Sequence, residues 1–360
     1  MRGKNQPQPE FISVINLEAR IPKAHPIREI KRLCEELYSG LEERFESMYS
    51  KNGRPSIPPE TLLGAQVLMA LYSIRSARAF CERLEYDLLF RWFLDMTADE
   101  RAFNASTFSK NVDRLLESRV AEEFFAGVVE LARDGGWASN EHFSADGTLI
   151  ESWASLKSFR PKDEDPGDYN DGNGWADFKG QQRKNDTHQS RTDPEARLYR
   201  KGKGQEARLY FGAHALMENR NGLCVAIKVT SATETTEGEV ALSQVEALDH
   251  KKYKVKSVGA DKNYHNKAFV SGCRKLGVAP HTAQVKGRKV AGLDNRTTRR
   301  PAYQASQKVR KRVESIFGWM KTTGSMRRSR HRGIERTNLQ TTITATAYNL
   351  VRLAKLRLST

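Results

Sequence analysis

The first third of the chain repeats its apolar positions every three or four residues. In IREIKRLCEELYSGL, Ile30, Leu33 and Leu37 share one face, which predicts an amphipathic helix. PSIPPETLLGAQVLMALYSI begins with prolines and Glu60, a favourable helix start, and is almost wholly apolar from Leu62 to Ile74, which predicts a buried helix. RSARAFCERLEYDLLFRWFLDM continues the pattern, and NASTFSKNVDRLLE opens with Asn104 or Ser106 as an N-cap. Together these predict a helical domain over 21–135, fit for DNA binding or dimerisation, behind a loose polar arm at 1–20. Within it, STFSK at 106–110 has the small polar and basic residues suited to a groove-reading helix.

Gly135–Gly136 ends the helical run, and the period changes to two. HFSADGTLIES, ARLYFGAHALMENR and GLCVAIKVTSA read as strands, the last two joined by the hairpin signal Asn221–Gly222. A helix (GEVALSQVEALDH), a strand (YKVKSVGADKN), a helix (HNKAFVSGCRKLG) and a short strand (APHTAQV) follow. SQKVRKRVESIFGWMKTT is expected as one continuous helix, and the C-terminal segment, placed at 341–360, as an amphipathic one. Residues 157–206 are rich in Gly, Asp, Lys and Asn and read as a flexible surface insertion. The order β–β–β–α–β–α–β–α from Phe143 predicts an α/β domain over 136–340: a mixed, ribonuclease-H-like sheet flanked by helices.

Charge narrows the function. The chain carries 60 Lys and Arg against 44 Asp and Glu, a net +16. Sixteen of the basic residues fall between Lys286 and Arg336, against Asp294, Glu314 and Glu335 alone. A surplus this local is a patch for a polyanion, nucleic acid before anionic membrane. No apolar run approaches the ~20 residues of a membrane span. MRGKNQPQPE lacks the apolar core of a secretion signal, so a cytoplasmic, nucleoid-associated protein is expected. Four cysteines lie scattered without CxxC, and the histidines show no HxH or HExxH, which argues against disulfide or zinc frameworks.

Three carboxylates stand out against this basic background. Asp146 is expected at the end of the first strand, Asp261 at the end of the fourth, and Glu314 in a later helix. Adjacent strand ends set two carboxylates side by side, and a packed helix can bring a third. Such an oxygen set suits Mg²⁺, and two such ions ~3.5–4 Å apart can hold both oxygens of a phosphoryl transfer. Arg310, Glu314 and Lys321, spaced by four and seven, share a helix face where two cations could meet phosphates beside the carboxylate. Lys262 could do the same next to Asp261, and Arg312, Arg327, Arg328, Arg330 and Arg332 could track a backbone. Each acid also has a plain structural reading: a hairpin turn for Asp146, a helix cap for Asp261, an ion pair with Arg310 for Glu314. Trp153 and Trp319 are open between core packing and base stacking.

FSADGTLIESWAS, TDPEARLYRKGKGQEARLYFGAHALMENRNGL, VGADKNYH and SQKVRKRVESIFGWMKT occur in an order that resembles bacterial insertion-sequence transposases of the DDE type. The resemblance covers most of the chain. It implies that Asp146, Asp261 and Glu314 are a catalytic triad holding Mg²⁺ or Mn²⁺. It further implies nicking of the element ends and joining of the freed 3′-OH to target DNA. The partners it implies are double-stranded DNA, as terminal inverted repeats and target, and a second copy of the chain. Of the wider group's Tyr-x2-Arg-x3-Glu-x6-Lys signature, Arg310, Glu314 and Lys321 match, while Gln307 stands at the Tyr position. A non-catalytic DNA-end-binding protein and a ribonuclease-H-like nuclease are the alternatives.

Overall fold

The computed structural model describes residues 14–50, 52, 56–163, 183–200, 202, 204–232, 236–250 and 253–359. Most of the expected arm, and the middle of the expected insertion at 164–182, lie outside these. Among the described residues, no helix is long and apolar enough to cross a membrane.

Eight helices come first: α1 (Leu17–Arg20), α2 (Pro26–Tyr38), α3 (Glu42–Ser47), α4 (Pro59–Leu71), α5 (Ala77–Tyr86), α6 (Leu88–Phe93), α7 (Ala105–Glu117) and α8 (Val120–Asp134). Local chemistry sets their starts. Asn104 caps α7 by accepting from the Ser106 and Thr107 amides at 3.0 and 3.4 Å. Pro59 opens α4, where its missing N–H costs nothing. Leu33, Leu62, Leu68, Phe80, Phe90 and Phe108 interlock in one core.

The sheet is built from β1 (His142–Glu151), β4 (Arg197–Tyr199), β5 (Arg208–Glu218), β6 (Cys224–Ser231), β7 (Ser257–Ala260) and β8 (Ala279–Thr282). The small pair β2 (Phe159–Pro161) and β3 (His188–Ser190) lies apart from it. β1, β5 and β6 run antiparallel, with β4 pairing the first part of the same β5 edge that β6 occupies further on. β7 joins β1 in parallel and β8 joins β7 in parallel. This is the expected mixed α/β arrangement: an antiparallel meander extended on its other side by parallel strands, beside a helical region. α9 (Thr236–His250) and α10 (Lys267–Lys275) supply the parallel crossovers.

Three features differ from expectation. The helix expected over 306–323 is broken: α12 (Pro301–Val309) and α13 (Val313–Lys321) flank a single 3-10 turn at Arg310–Arg312. The described flanks of 157–206 form β2, β3 and β4, with Phe159, Asp193 and Ala196 buried. There Asp193 accepts from the Ser152 hydroxyl at 2.8 Å, and Glu195 accepts from the Ile334 amide at 2.9 Å. The last helix, α14 (Ile334–Ser359), is not amphipathic but buried around most of its circumference. Ile343, Ala347 and Leu350 enter the helical core, while Ala345 and Tyr348 enter the core of the sheet. α11 (Asn295–Thr298) is a short turn before α12.

Candidate active site

β1 and β7 pair in register from His142↔Ser257 to Ser144↔Gly259. Pairing stops there; Asp146 lies two residues further along β1, and Asp261, two residues past Gly259, adds its charge to the field on it. Asp146 thus lies within β1 and not at its end, because β1 keeps pairing with β5 as far as Glu151↔Tyr210. Asp261 lies just beyond β7, where it caps a 3-10 turn by accepting from the Asn263 amide at 2.8 Å.

α12 and the 3-10 turn pack closely on β7 because Gly259 has no side chain. A Cβ there would stand 2.8 Å from Ser306 Oγ and 3.4 Å from Arg310 Cβ. The close approach places α13 beside β1. From α13, exposed Glu314 adds its charge to the field on Asp146, and Lys321 Nζ donates to the Thr148 hydroxyl, two residues beyond Asp146 on the same face. At the signature's Tyr position, Gln307 donates to the His281 carbonyl and accepts from Arg310 Nε.

The electrostatics mark the acids as a group. Burial pushes the Asp146 carboxyl up to about 6; Asp261, Glu237 and Glu314 push the same way against a 2.8 Å bond from the Gly147 amide. Glu237, in the first turn of α9, is also raised, by burial and then by Asp261. Glu237 escaped sequence reading, because an acid in the first turn of a helix reads as a dipole partner.

A hard divalent cation fits this donor set in its chemistry: all-oxygen ligands, mutually repelling, around a desolvated Asp146. Among the described residues, however, no three of His, Cys, Asp and Glu are already gathered into a metal-binding group. A cation would have to draw the carboxylates in.

Beside this site runs a cleft of about 1040 Å³ between the helical region and the segment after α13. Arg75, Trp153, Arg327, Arg328, Arg330 and Arg336 line it. Burial, then the charge of Arg75, pushes the Arg330 guanidinium down to about 10. Arg336 pairs with Asp113 at 3.0 Å. Arg328 donates to the Ser152 and Trp153 carbonyls at 3.1 and 2.7 Å and lies 5.6 Å from the centre of the Trp153 ring.

The remaining basic candidates are dispersed. Arg312 donates to the Asn219 and Arg220 carbonyls at 2.8 and 2.7 Å, fastening the β5–β6 turn. Lys262, Arg327 and Arg332 are exposed. Trp319 packs edge-on against Tyr348 with ring centres 5.9 Å apart. In α7, Phe108 is core, while Ser106, Thr107, Ser109 and Lys110 face outward.

The mixed sheet thus carries Asp146 on a central strand and Asp261 just past that strand's parallel neighbour, beside a cleft lined with arginines. Residues 177–350 match the transposase DDE domain family, and residues 15–114 match the transposase domain family DUF772. Between them these segments take up most of the chain, which belongs to the transposases of the DDE type. Asp261 and Glu314 fall inside the first match, and Asp146 precedes it.

Among solved structures, the chain is similar to the piggyBac transposase synaptic complex with hairpin DNA at 7% identity and a TM-score of 0.41. That match covers 93% of this chain and 76% of that one. It is also similar to the Mos1 transposase paired-end complex with left transposon end, at 11% identity and a TM-score of 0.21, covering 80% and 86%. The Mos1 mariner paired-end complex with Mn matches at 11% identity and a TM-score of 0.21, covering 82% and 87%. No curated protein matches.

Proposed function

We propose that this chain cuts the ends of an insertion sequence and joins the freed 3′-OH to target DNA, with Asp146, Asp261 and Glu314 as its metal-holding carboxylates. The observation that supports the reading is that the charges of Asp261 and Glu314 both bear on Asp146, just past the point where β1 and β7 stop pairing. In the first reaction water adds at phosphorus and the bond to the 3′ oxygen breaks, leaving a 5′ phosphate and a 3′-OH. In the second that 3′-OH attacks a target phosphodiester, and the target's own 3′ oxygen leaves.

Asp146, Asp261 and Glu314 would hold Mg²⁺ or Mn²⁺, which when bound neutralises charge on the attacking and leaving oxygens. Arg310, held by Gln307, and Lys321, held at Thr148, sit on either side of Glu314 along the chain and are placed to meet the flanking phosphates. Lys262 stands beside Asp261 for the same task. The cleft with Arg75, Arg327, Arg328 and Arg330 takes the DNA backbone, and exposed Arg332, next in sequence to the cleft-lining His331, adds to that contact. Arg312 serves the DNA path through the β5–β6 turn that it anchors. The helical region 21–135 recognises the end sequence and contributes to a homodimer that handles two ends together. The site of action is the nucleoid.

A cleavage assay tests the reading. The protein is mixed with DNA ending in the element's terminal repeat, with Mg²⁺ or EDTA, beside Asp261→Asn. Metal-dependent cuts at the repeat boundary that vanish in the variant are expected. Tight binding without cuts would leave a DNA-end-binding protein.

A further inference from the structure

We propose that α5 is the helix that reads the end of the element, with Arg78 and Glu82 reaching base edges, and that a DNA phosphate held between Arg75 and Arg330 seats it. The inference rests on the reading above that the chain acts on its element's ends.

α4 and α5 are joined by a tight turn. Between the α4 C-cap Tyr72 and the α5 N-cap Ser76 stand only Ser73, Ile74 and Arg75. Ser73 takes a left-handed conformation there, with φ 58°. α4 is buried along most of its length, with Leu62, Leu63, Val67 and Leu68 in the core. α5 buries one side alone, through Phe80, Cys81 and Leu84. It turns Arg78, Glu82 and Tyr86 outward at four-residue spacing. A groove-reading pair needs this order: one helix held in the core, the next with its first turn free to enter the major groove.

The outward stripe is open to a ligand. Arg78 and Glu82 stand about one turn apart with opposite charge, a spacing that commonly closes an ion pair. Among the described residues neither takes part in one. An arginine fork matches guanine, and a glutamate accepts from the cytosine amine. The polar groups of α7 are turned to the protein's own structure. Its Ser106 hydroxyl donates to Asn104 at 2.6 Å, and its Arg114 donates to Ser56 and Asn111 at 2.9 Å. The charge that α7 brings to the cleft is the carboxylate of Asp113.

The seat lies where α5 begins. Arg75, Ser76 and Ala77 line the cleft, and so does Arg330 from the segment after α13. Arg330 Nε is buried without a hydrogen-bond partner, and the charge of Arg75 bears on the same guanidinium. Asp113 is engaged by Arg336 at 3.0 Å, so it pairs with neither. Buried polar groups are nearly always satisfied, and a phosphate supplies both the acceptor and the charge that two adjacent arginines call for. The Ser73 hydroxyl donates to the Thr323 carbonyl at 2.8 Å, two residues past Lys321. The start of α5 is thereby pinned to the segment that carries Glu314 and Lys321, and the bases it reads lie at a set distance from the cut.

The test is fluorescence anisotropy with the full chain and two duplexes, one carrying the element's terminal repeat and one with the same bases scrambled. Mg²⁺-dependent cleavage of the repeat duplex is measured beside it. Wild type is compared with Arg75→Ala, Arg78→Ala, Glu82→Ala and, on α7, Lys110→Ala, with circular dichroism confirming the fold. Arg78→Ala is expected to weaken binding to the repeat about tenfold more than to the scrambled duplex, the scale of one lost base contact. Glu82→Ala should narrow the same gap. Arg75→Ala should weaken both duplexes alike and lower the salt slope by about one. Wild-type discrimination in both Arg78→Ala and Glu82→Ala, while wild type still cuts the repeat, would overturn the role of α5 and leave the proposed function standing. Loss of discrimination in Lys110→Ala alone would give that role to α7. Neither discrimination nor cutting by wild type would overturn both readings.

Discussion

Arg310 Nε donates to Gln307 Oε1 at 3.0 Å, and Gln307 in turn donates to the His281 carbonyl on β8. The residue that departs from the Tyr-x2-Arg-x3-Glu-x6-Lys pattern is therefore the one that braces its arginine against the sheet. Gln307→Ala removes that brace. Strand cleavage is expected to fall about tenfold, the worth of one hydrogen bond to a charged group, with DNA binding little changed. Single-turnover cleavage beside a gel-shift titration measures the two separately.

Asp146→Asn, Asp261→Asn and Glu314→Gln should each cut the cleavage rate by about 100-fold or more, the scale of a preorganised electrostatic contact. The double variant Asp146→Asn/Asp261→Asn should lose little beyond either single change, because the acids act as a unit. Full additivity in the rates would show independent roles and count against a shared cation.

In the cleft, Arg75→Ala and Arg330→Ala should each lower the slope of log affinity against log salt by about one. Asp113→Asn, which releases Arg336 from its ion pair, should tighten binding. Fluorescence anisotropy across a salt series reads all three, and unchanged slopes would place the DNA elsewhere.

His214, His281 and His331 are each pushed from 6.5 down to about 4, chiefly by burial. An unfolded chain takes up protons on them as pH falls through 6.5, while the folded chain stays neutral until about 4. The histidines' share of stability is thus intact above 6.5 and drains away between 6.5 and 4, while Asp146, raised to about 6, works in the opposite sense over part of that window. For buried His281 alone the loss is on the order of 2 kcal/mol near the bottom of that window. His281→Phe keeps a ring against Tyr303 but cannot titrate. Its melting temperature should fall less steeply with acid than that of wild type.

Asn349 accepts from the Cys224 amide at 2.9 Å and donates to the Cys224 carbonyl at 2.7 Å, clasping α14 to β6. Asn349→Ala orphans two buried backbone groups and should cost about 2–4 kcal/mol. Urea unfolding gives the figure directly, and a loss below 0.5 kcal/mol would mean that water replaces the amide.

Much of this was legible where a single physical rule governs. The amphipathic period of α2, the Asn104 cap and the Asn221–Gly222 hairpin signal each act over a few residues, and each is found. Position along a strand is different. Asp146 reads as a strand end, yet pairing with β5 carries β1 five residues past it. The α12–α13 break leaves no mark in a run of helix-forming Lys, Arg and Val. α14 reads as amphipathic because its threonines count as polar. Thr337, Thr341, Thr344 and Thr346 turn their hydroxyls back onto carbonyls four residues earlier, which lets them pack as apolar groups. Glu237 was hidden by an ordinary first-turn position, and only the sheet brings it to Gly147.

That same helix has a mechanical meaning. Because α14 feeds side chains into the core of the helical region and into that of the sheet, the two cannot pivot about a linker without tearing packed threonines and leucines apart. The cleft between them is a jaw without a hinge. DNA held there, on the function proposed above, would have to be shaped to the opening, and the distance from the cleft arginines to Asp146 and Asp261 is a length set at folding.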